Sequence, residues 1–220
     1  MRTTVVRTGR LTAGQTRARR EFWPRFGIDT ADTPLDLDAI FNRRAPTILE
    51  IGFGMGDTLV AMAAQRPDAN FLGAELYPAG IGSTLRKLAA AELTNVRIVE
   101  QDAIEVLSQR LSPTSLTGVN IFFPDPWPKK RHHKRRLLQP SLLDLIAARL
   151  ARGGLLHIAT DWVPYADEML QLLETHPRFR NLAAKGQFSP RPAHRPVTKY
   201  ERRGASRGHE VRDLLFEKRD

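Results

Sequence analysis

Short, unbroken apolar runs alternate along most of this chain with longer segments in which apolar positions recur every three or four residues. An apolar run buried on both faces is the mark of a parallel strand, and the longer period is that of an amphipathic helix. The pattern predicts a short helix over 35–41 and a strand over Thr47–Gly52. A helix follows over 59–65, stopped by Pro67. A second strand is expected at 71–76 with a helix over 85–91, and a third at 96–100 with a helix over 103–111. The fourth strand falls at 119–123. A helix over 141–150 ends at Gly153 and Gly154, and the fifth strand follows at 155–159. One more helix (165–173) and two more strands (179–183 and 211–217) complete the chain. Strands alternating with helices predict an α/β fold: a doubly wound, mostly parallel, seven-stranded Rossmann-like sheet with helices on both faces. Residues 35–220 form its single domain, and residues 1–34 form a basic N-terminal arm expected to contact RNA, whose order the sequence leaves open.

Charge changes this picture because it is unevenly spread. The chain carries 34 Lys and Arg against 24 Asp and Glu, a net charge of +10. Residues 1–27 hold seven arginines and one acid, residues 129–136 read KKRHHKRR, and residues 178–207 hold nine cations and one acid. Residues 46–128, by contrast, hold nine acids and five cations. A uniform basic bias leaves no such acidic island, so the basic segments read as a surface for a polyanion, nucleic acid first. With no cysteine in the chain, disulfides, thiolate metal sites and cysteine nucleophiles are excluded. His132 and His133 are adjacent in a basic run and make a poor metal pair, so no metal is expected. No apolar run is long enough to span a bilayer, and the first residues lack the apolar core of a secretory signal. The expected location is the cytoplasm.

Ligands of doubly wound sheets bind at the C-terminal ends of the strands. There the chain places Gly52, Gly54 and Gly56 after the first strand, and four carboxylates: Glu50, Glu75, Asp102 and Asp125. A glycine turn alone also suits NAD or nucleotides. Four acids, however, repel a pyrophosphate and suit S-adenosylmethionine, which has a sulfonium, an ammonium and a ribose diol but no phosphate. The methionine end is assigned to Glu50–Gly56, the ribose hydroxyls to Glu75 and the adenine amino group to Asp102. After the fourth strand, FPDPWPKKRHHKRR combines an acid, two aromatics and six cations on a loop stiffened by Pro124, Pro126 and Pro128. Asp125 can accept hydrogen bonds from a guanine edge. Trp127 can stack on a base or form a pocket wall, and the cations that follow can hold an RNA backbone.

At this stretch the chain resembles the bacterial tRNA (guanine-N7)-methyltransferase family. The matching residues are EIGFGMG (50–56), AELYPAGIG (74–82), FFPDPWPKKRHHKRRL (122–137), TDW (160–162) and PVTKYERRG (196–204), with a similar arm at GRLTAGQTRA (9–18). The resemblance implies methyl transfer from S-adenosylmethionine, leaving S-adenosylhomocysteine, to N7 of guanine 46 in the tRNA variable loop. It implies donor contacts at Glu50, Glu75, Asp102 and Asp125, with Asp125 catalytic. It implies substrate contacts at Lys129, Asp161, Thr198, Lys199, Tyr200 and Glu201. RNA contacts are implied at Arg131, His132, His133, Lys134, Arg135 and Arg136. Where the family reads GHGVWDL this chain reads GHEVRDL, so Glu210 and Arg212 replace a glycine and a tryptophan, which bears on packing near the C-terminus. Two other functions fit parts of the pattern: an amino-group methyltransferase, whose loop after the fourth strand is similar, and an RNA-binding module without catalysis. The partner is tRNA, and the chain is expected to act as a monomer or a homodimer.

Overall fold

The computed structural model describes residues 11–30, 33–198, 201 and 210–220. These fall into two compact units, Arg2–Ser112 and Pro113–Asp220.

In the N-terminal unit, helix α1 (Ala13–Phe26) leads into a two-residue strand β1 (Gly27–Ile28) and a short helix α2 (Leu37–Phe41). Three strand–helix repeats follow: β2 (Thr47–Ile51) with α3 (Asp57–Gln65), β3 (Asn70–Ala74) with α4 (Pro78–Ala90), and β4 (Val96–Val99) with α5 (Ala103–Glu105). Helix α5 runs on as a π-helical turn, Val106–Arg110. The strands lie in the order β1-β4-β3-β2 and all pair in parallel. Leu49, Phe71, Leu72 and Ile98 are fully buried, which explains why these strands read as continuous apolar runs.

The segment read as the basic arm contains helix α1, for which sequence reasoning gave no element. Thr12 and Gln15 cap α1 reciprocally: the Thr12 hydroxyl accepts from the Gln15 amide and the Gln15 side chain from that of Thr12. This capping box satisfies two N–H groups that the helix leaves open. Helix α1 lies on α4 so closely that a Cβ on Gly82 would stand 2.8 Å from that of Gln15.

In the C-terminal unit the order is β5-β6-β8-β7, for β5 (Leu116–Phe122), β6 (Leu150–Thr160), β7 (Phe179–Asn181) and β8 (Arg212–Lys218). Strands β5 and β6 are parallel, and β8 runs antiparallel to both β6 and β7. Helices α6 (Pro140–Arg149) and α7 (Val163–Thr175) flank β6 in the chain. The described residues thus contain eight strands rather than seven, the addition being β1, too short to leave a periodicity. Gly153 and Gly154 do not cap α6. They lie inside β6, Gly153 at φ +72°, where the pairing with β5 shifts register. Arg212, in the place of a tryptophan, still begins β8: it pairs with Glu210 at 2.9 Å and lies over the Phe188 ring.

Candidate active site

Parallel pairing with Glu50 opposite Gly73 and Ala74 opposite Val99 lines up the C-terminal ends of β2, β3 and β4. Three of the expected acids stand at those ends. Glu50 is 2% exposed, and its Oε2 has no hydrogen-bond partner within the protein. Burial, and then the charge of Glu75, pushes its pKa up to about 8. Asp102 is also buried. Its Oδ1 caps α5 by accepting from the Ile104 amide at 2.8 Å, while its Oδ2 has no partner. A buried acceptor without a partner is costly, and a site that leaves two of them open is shaped for a ligand that donates.

Glu75 is used differently. Its carboxylate accepts from the amides of Gly54 (2.7 Å), Leu76 (2.7 Å) and Tyr77 (3.0 Å). A carboxylate offers about four acceptor positions, so roughly one remains for a ribose hydroxyl. Glu75 is therefore first a brace for the glycine turn. That turn has positive φ at Gly52, Gly54 and Gly56, and a Cβ at Gly52 or Gly54 would meet nothing within 4 Å. Lys87 closes the turn from outside through the Met55 carbonyl (2.8 Å) and Asp57 (2.5 Å). Sequence reasoning missed Lys87, which matches no local pattern.

The C-terminal unit carries the remaining expected residues. Asp125 follows β5 and is exposed, whereas Asp161, after β6, is half-buried. The loop between β5 and α6 holds two non-glycine residues at positive φ, Phe123 (53°) and Trp127 (44°). Lys130–Arg135 coil into a 3-10 helix, where an irregular loop was expected. Lys129, Lys130, Arg131, Lys134 and Arg135 are exposed. Local desolvation, then the charges of Arg135, Arg131, Lys129 and Lys134, hold His132 below its ordinary pKa. The Trp127 ring meets the His132 ring edge to face, and the Arg135 guanidinium lies 5.1 Å from its centroid.

Arg136 departs from expectation. It is 1% exposed, so it is unavailable to a phosphate. Its Nε donates to the Pro126 carbonyl at 2.9 Å, its Nη1 ion-pairs with Glu168, and its guanidinium lies 4.6 Å from the centroid of Tyr165.

Thr198 and Glu201 hold each other: the Glu201 amide donates to the Thr198 hydroxyl (3.0 Å) and the Thr198 amide to the Glu201 carboxylate (3.2 Å). Lys199 and Tyr200 lie outside the described residues. Glu201 also takes two hydrogen bonds from Arg195, which is 1% exposed and bonded on its other side to Asp213 (2.7 and 2.9 Å). Burial alone raises Asp213, but hydrogen bonds from His157 and Arg195 outweigh it and hold the carboxyl below its ordinary value. An ionised Asp213 only accepts, so His157 Nε2 carries the proton of their 2.8 Å bond. Sequence reasoning did not find this His157–Asp213–Arg195–Glu201 chain, because three distant segments supply it.

Residues 44–214 match a family model described as "Putative methyltransferase". Curated tRNA (guanine-N(7)-)-methyltransferases of Alkalilimnicola ehrlichii and Burkholderia vietnamiensis are 52% and 53% identical to this chain. Each alignment covers all of this chain, with 93% and 85% of the relative. Among solved structures, the antibiotic-resistance methyltransferase Kmr aligns with a TM-score of 0.57 at 16% identity, over 88% of this chain and 98% of its own. A Streptococcus mutans protein solved in complex with SAH aligns at 0.51 and 12% identity, over 95% and 99%. At such identities these two show the Rossmann-like methyltransferase fold alone.

Proposed function

The chain belongs to the tRNA (guanine-N7)-methyltransferase family, and from that premise we propose that it methylates N7 of guanine 46 in the tRNA variable loop with S-adenosylmethionine as donor. The observation that carries the proposal is the pair of partnerless buried oxygens, Glu50 Oε2 and Asp102 Oδ2, beside a glycine turn with open space over Gly52 and Gly54. The fit to the donor is chemical: an ammonium and an adenine amino group donate what these oxygens lack, and one acceptor position of Glu75 is left for the ribose. When bound, the donor supplies an activated methyl group on a sulfonium.

The protein's own residues bind, orient and neutralise. Guanine N7 has a lone pair and no proton, so no general base is required. Asp125 orients the base by accepting from its Watson–Crick edge and stabilises the positive charge that the purine gains. Asp161, Lys129 and the 198–201 segment hold the substrate nucleotide. The exposed cations of 129–135, with Arg17, Arg20 and Arg25 exposed on α1, hold the RNA backbone. Residues 1–34 serve as an RNA-contacting arm on a single methyltransferase domain. Among the described residues no helix is long and apolar enough to cross a membrane, and we place the enzyme in the cytoplasm with its tRNA.

The test is incubation with unmodified tRNA and methyl-labelled donor, followed by nucleoside analysis and mapping. We expect 7-methylguanosine at position 46 and none in a transcript with that guanine replaced. Label in an amino-methylated nucleoside would overturn the proposal.

A further inference from the structure

Of the six Lys and Arg side chains in the run 129–136, five are exposed and one, Arg136, is buried. A guanidinium withdrawn from water is tolerated only where its donors and charge are met. Here they are met by two parts of the unit that the chain separates widely: the Pro126 carbonyl on the loop, and Glu168 and Tyr165 on α7. The attachment is reinforced next door, where the Leu138 amide donates to the Tyr165 hydroxyl at 3.1 Å.

The loop needs such an attachment. Proline at 124, 126 and 128 removes three backbone donors from a stretch of five residues, so the loop has few N–H groups with which to hold itself. Phe123 and Trp127 both stand at positive φ, a conformation that side-chain-bearing residues keep only when their surroundings over-determine it. Pro126 lies between Asp125 and Trp127. The carbonyl that Arg136 grips therefore belongs to the residue immediately after Asp125.

We propose that Arg136 is a positioning residue: by clamping the Pro126 carbonyl to α7 through Glu168 and Tyr165, it sets the aim of the Asp125 carboxylate and makes no contact with RNA. The proposal rests on the methyl-transfer activity proposed above. It separates Arg136 from its neighbours in the basic run, whose exposed side chains remain available to phosphates.

The experiment uses the full chain, unmodified tRNA transcript and S-adenosylmethionine, and compares wild type with Arg136→Lys, Arg136→Met and Glu168→Gln. Three quantities are measured: the single-turnover methylation rate at saturating tRNA and donor, tRNA affinity across a salt series, and donor affinity. Glu168 is partly exposed and its amide isostere keeps an acceptor oxygen for Arg136, so Glu168→Gln weakens the clamp by removing its charge without opening a cavity. We expect the saturated rate to fall at least thirtyfold in Arg136→Met and about three- to tenfold in Arg136→Lys and Glu168→Gln. The salt slope and donor affinity should stay at wild-type values in Arg136→Lys and Glu168→Gln. A saturated rate within twofold of wild type in Glu168→Gln and Arg136→Lys would overturn the clamp, whatever the folding of Arg136→Met. So would a preserved rate with a salt slope reduced by about one, the signature of a cation withdrawn from a phosphate. Failure of the wild type itself to form 7-methylguanosine would instead overturn the activity on which the proposal depends.

Discussion

The two units bury charge in opposite ways. At the strand ends of the N-terminal unit, Glu50 and Asp102 are buried with one carboxylate oxygen each lacking a partner, and Glu50 is held largely neutral by burial. In the C-terminal unit, the buried guanidiniums of Arg136 and Arg195 are matched to acids: Arg136 to Glu168, Arg195 to Asp213 and Glu201. An incomplete buried site gains most from a ligand that completes it, whereas a complete one gains rigidity. Under the proposed function, the open oxygens of the first unit receive a small cationic molecule, and the matched charges of the second hold loops still while its exposed side chains meet a large anion. The glycine turn of the first unit shares this second character, through the three amides that Glu75 receives.

The sharpest way to break this comparison is at the residue assigned to chemistry. Asp125→Ala should reduce the saturated methylation rate at least about a hundredfold, roughly 2.7 kcal/mol of barrier, with the melting temperature unchanged, because Asp125 is exposed. Asp125→Asn should fall nearly as far, since an amide has one acceptor oxygen and no charge. A variant that keeps more than a tenth of the wild-type rate would remove Asp125 from the mechanism.

Glu50→Gln tests the incomplete site from two directions. Loss of the carboxylate should weaken donor binding about ten- to a hundredfold by calorimetry, leaving tRNA affinity in place. Without donor, the same change should stabilise the protein. The folded pKa of about 8 lies above the ordinary 4.5, so below pH 4.5 both folded and unfolded wild-type chains are protonated and nothing is lost. As pH rises from about 4.5 to 8, only the unfolded chain has released its proton, and wild-type stability falls. The advantage of Glu50→Gln should therefore open across that window, reaching roughly 5 °C or more in melting temperature near pH 8. Donor binding to wild type at pH 7 should release protons, as the ammonium draws Glu50 into its ionised form. Equal melting curves at pH 8 would mean that Glu50 is not held neutral.

Glu75→Ala separates a brace from a ligand contact. Three amides are deprived of their acceptor, so stability should fall by roughly 1–3 kcal/mol, together with donor affinity. A loss of donor affinity at unchanged stability would show that Glu75 serves the ribose alone.

Much of this was legible in the sequence because it is local. Buried parallel strands such as β2 and β3 are continuous apolar runs, and each acid of the candidate site sits at the end of one of them. Helix α1 escaped because arginines interrupt its weak apolar stripe, although Thr12 and Gln15 spell a capping box. Strand β1 escaped because two residues carry no period. The role of Arg136 was out of reach for another reason: six cations in one run are indistinguishable until a fold decides which one turns inward. The His157–Asp213–Arg195–Glu201 chain depends likewise on the antiparallel pairing of β6 with β8, which brings His157 level with Leu215.

The smallest effect concerns the exposed cations. Neutralising Arg131, Lys134 and Arg135 together, and leaving Arg136 in place, removes charges that reach solvent and keeps the Arg136 clamp, at the cost of the Arg135 contact with the Trp127 ring. Each neutralised phosphate releases condensed counterions, so log affinity for tRNA should fall linearly with log salt in wild type. The slope should flatten in the triple variant by up to about 0.9 for each phosphate that is no longer neutralised. In wild type, local desolvation and then the neighbouring cations hold His132 below its ordinary pKa, so it should add little to the slope at neutral pH. Donor affinity should not change, since the donor is not a polyanion and its site lies in the other charge regime. The saturated rate should also hold within about threefold, which distinguishes these three residues from Arg136: they gather the tRNA, and Arg136 aims the loop. An unchanged slope would move the RNA off this loop, with exposed Arg17, Arg20 and Arg25 on α1 as the next cations to neutralise. A collapsed rate at saturation would mean that the exposed cations also shape the loop, and the division between gathering and aiming would fail.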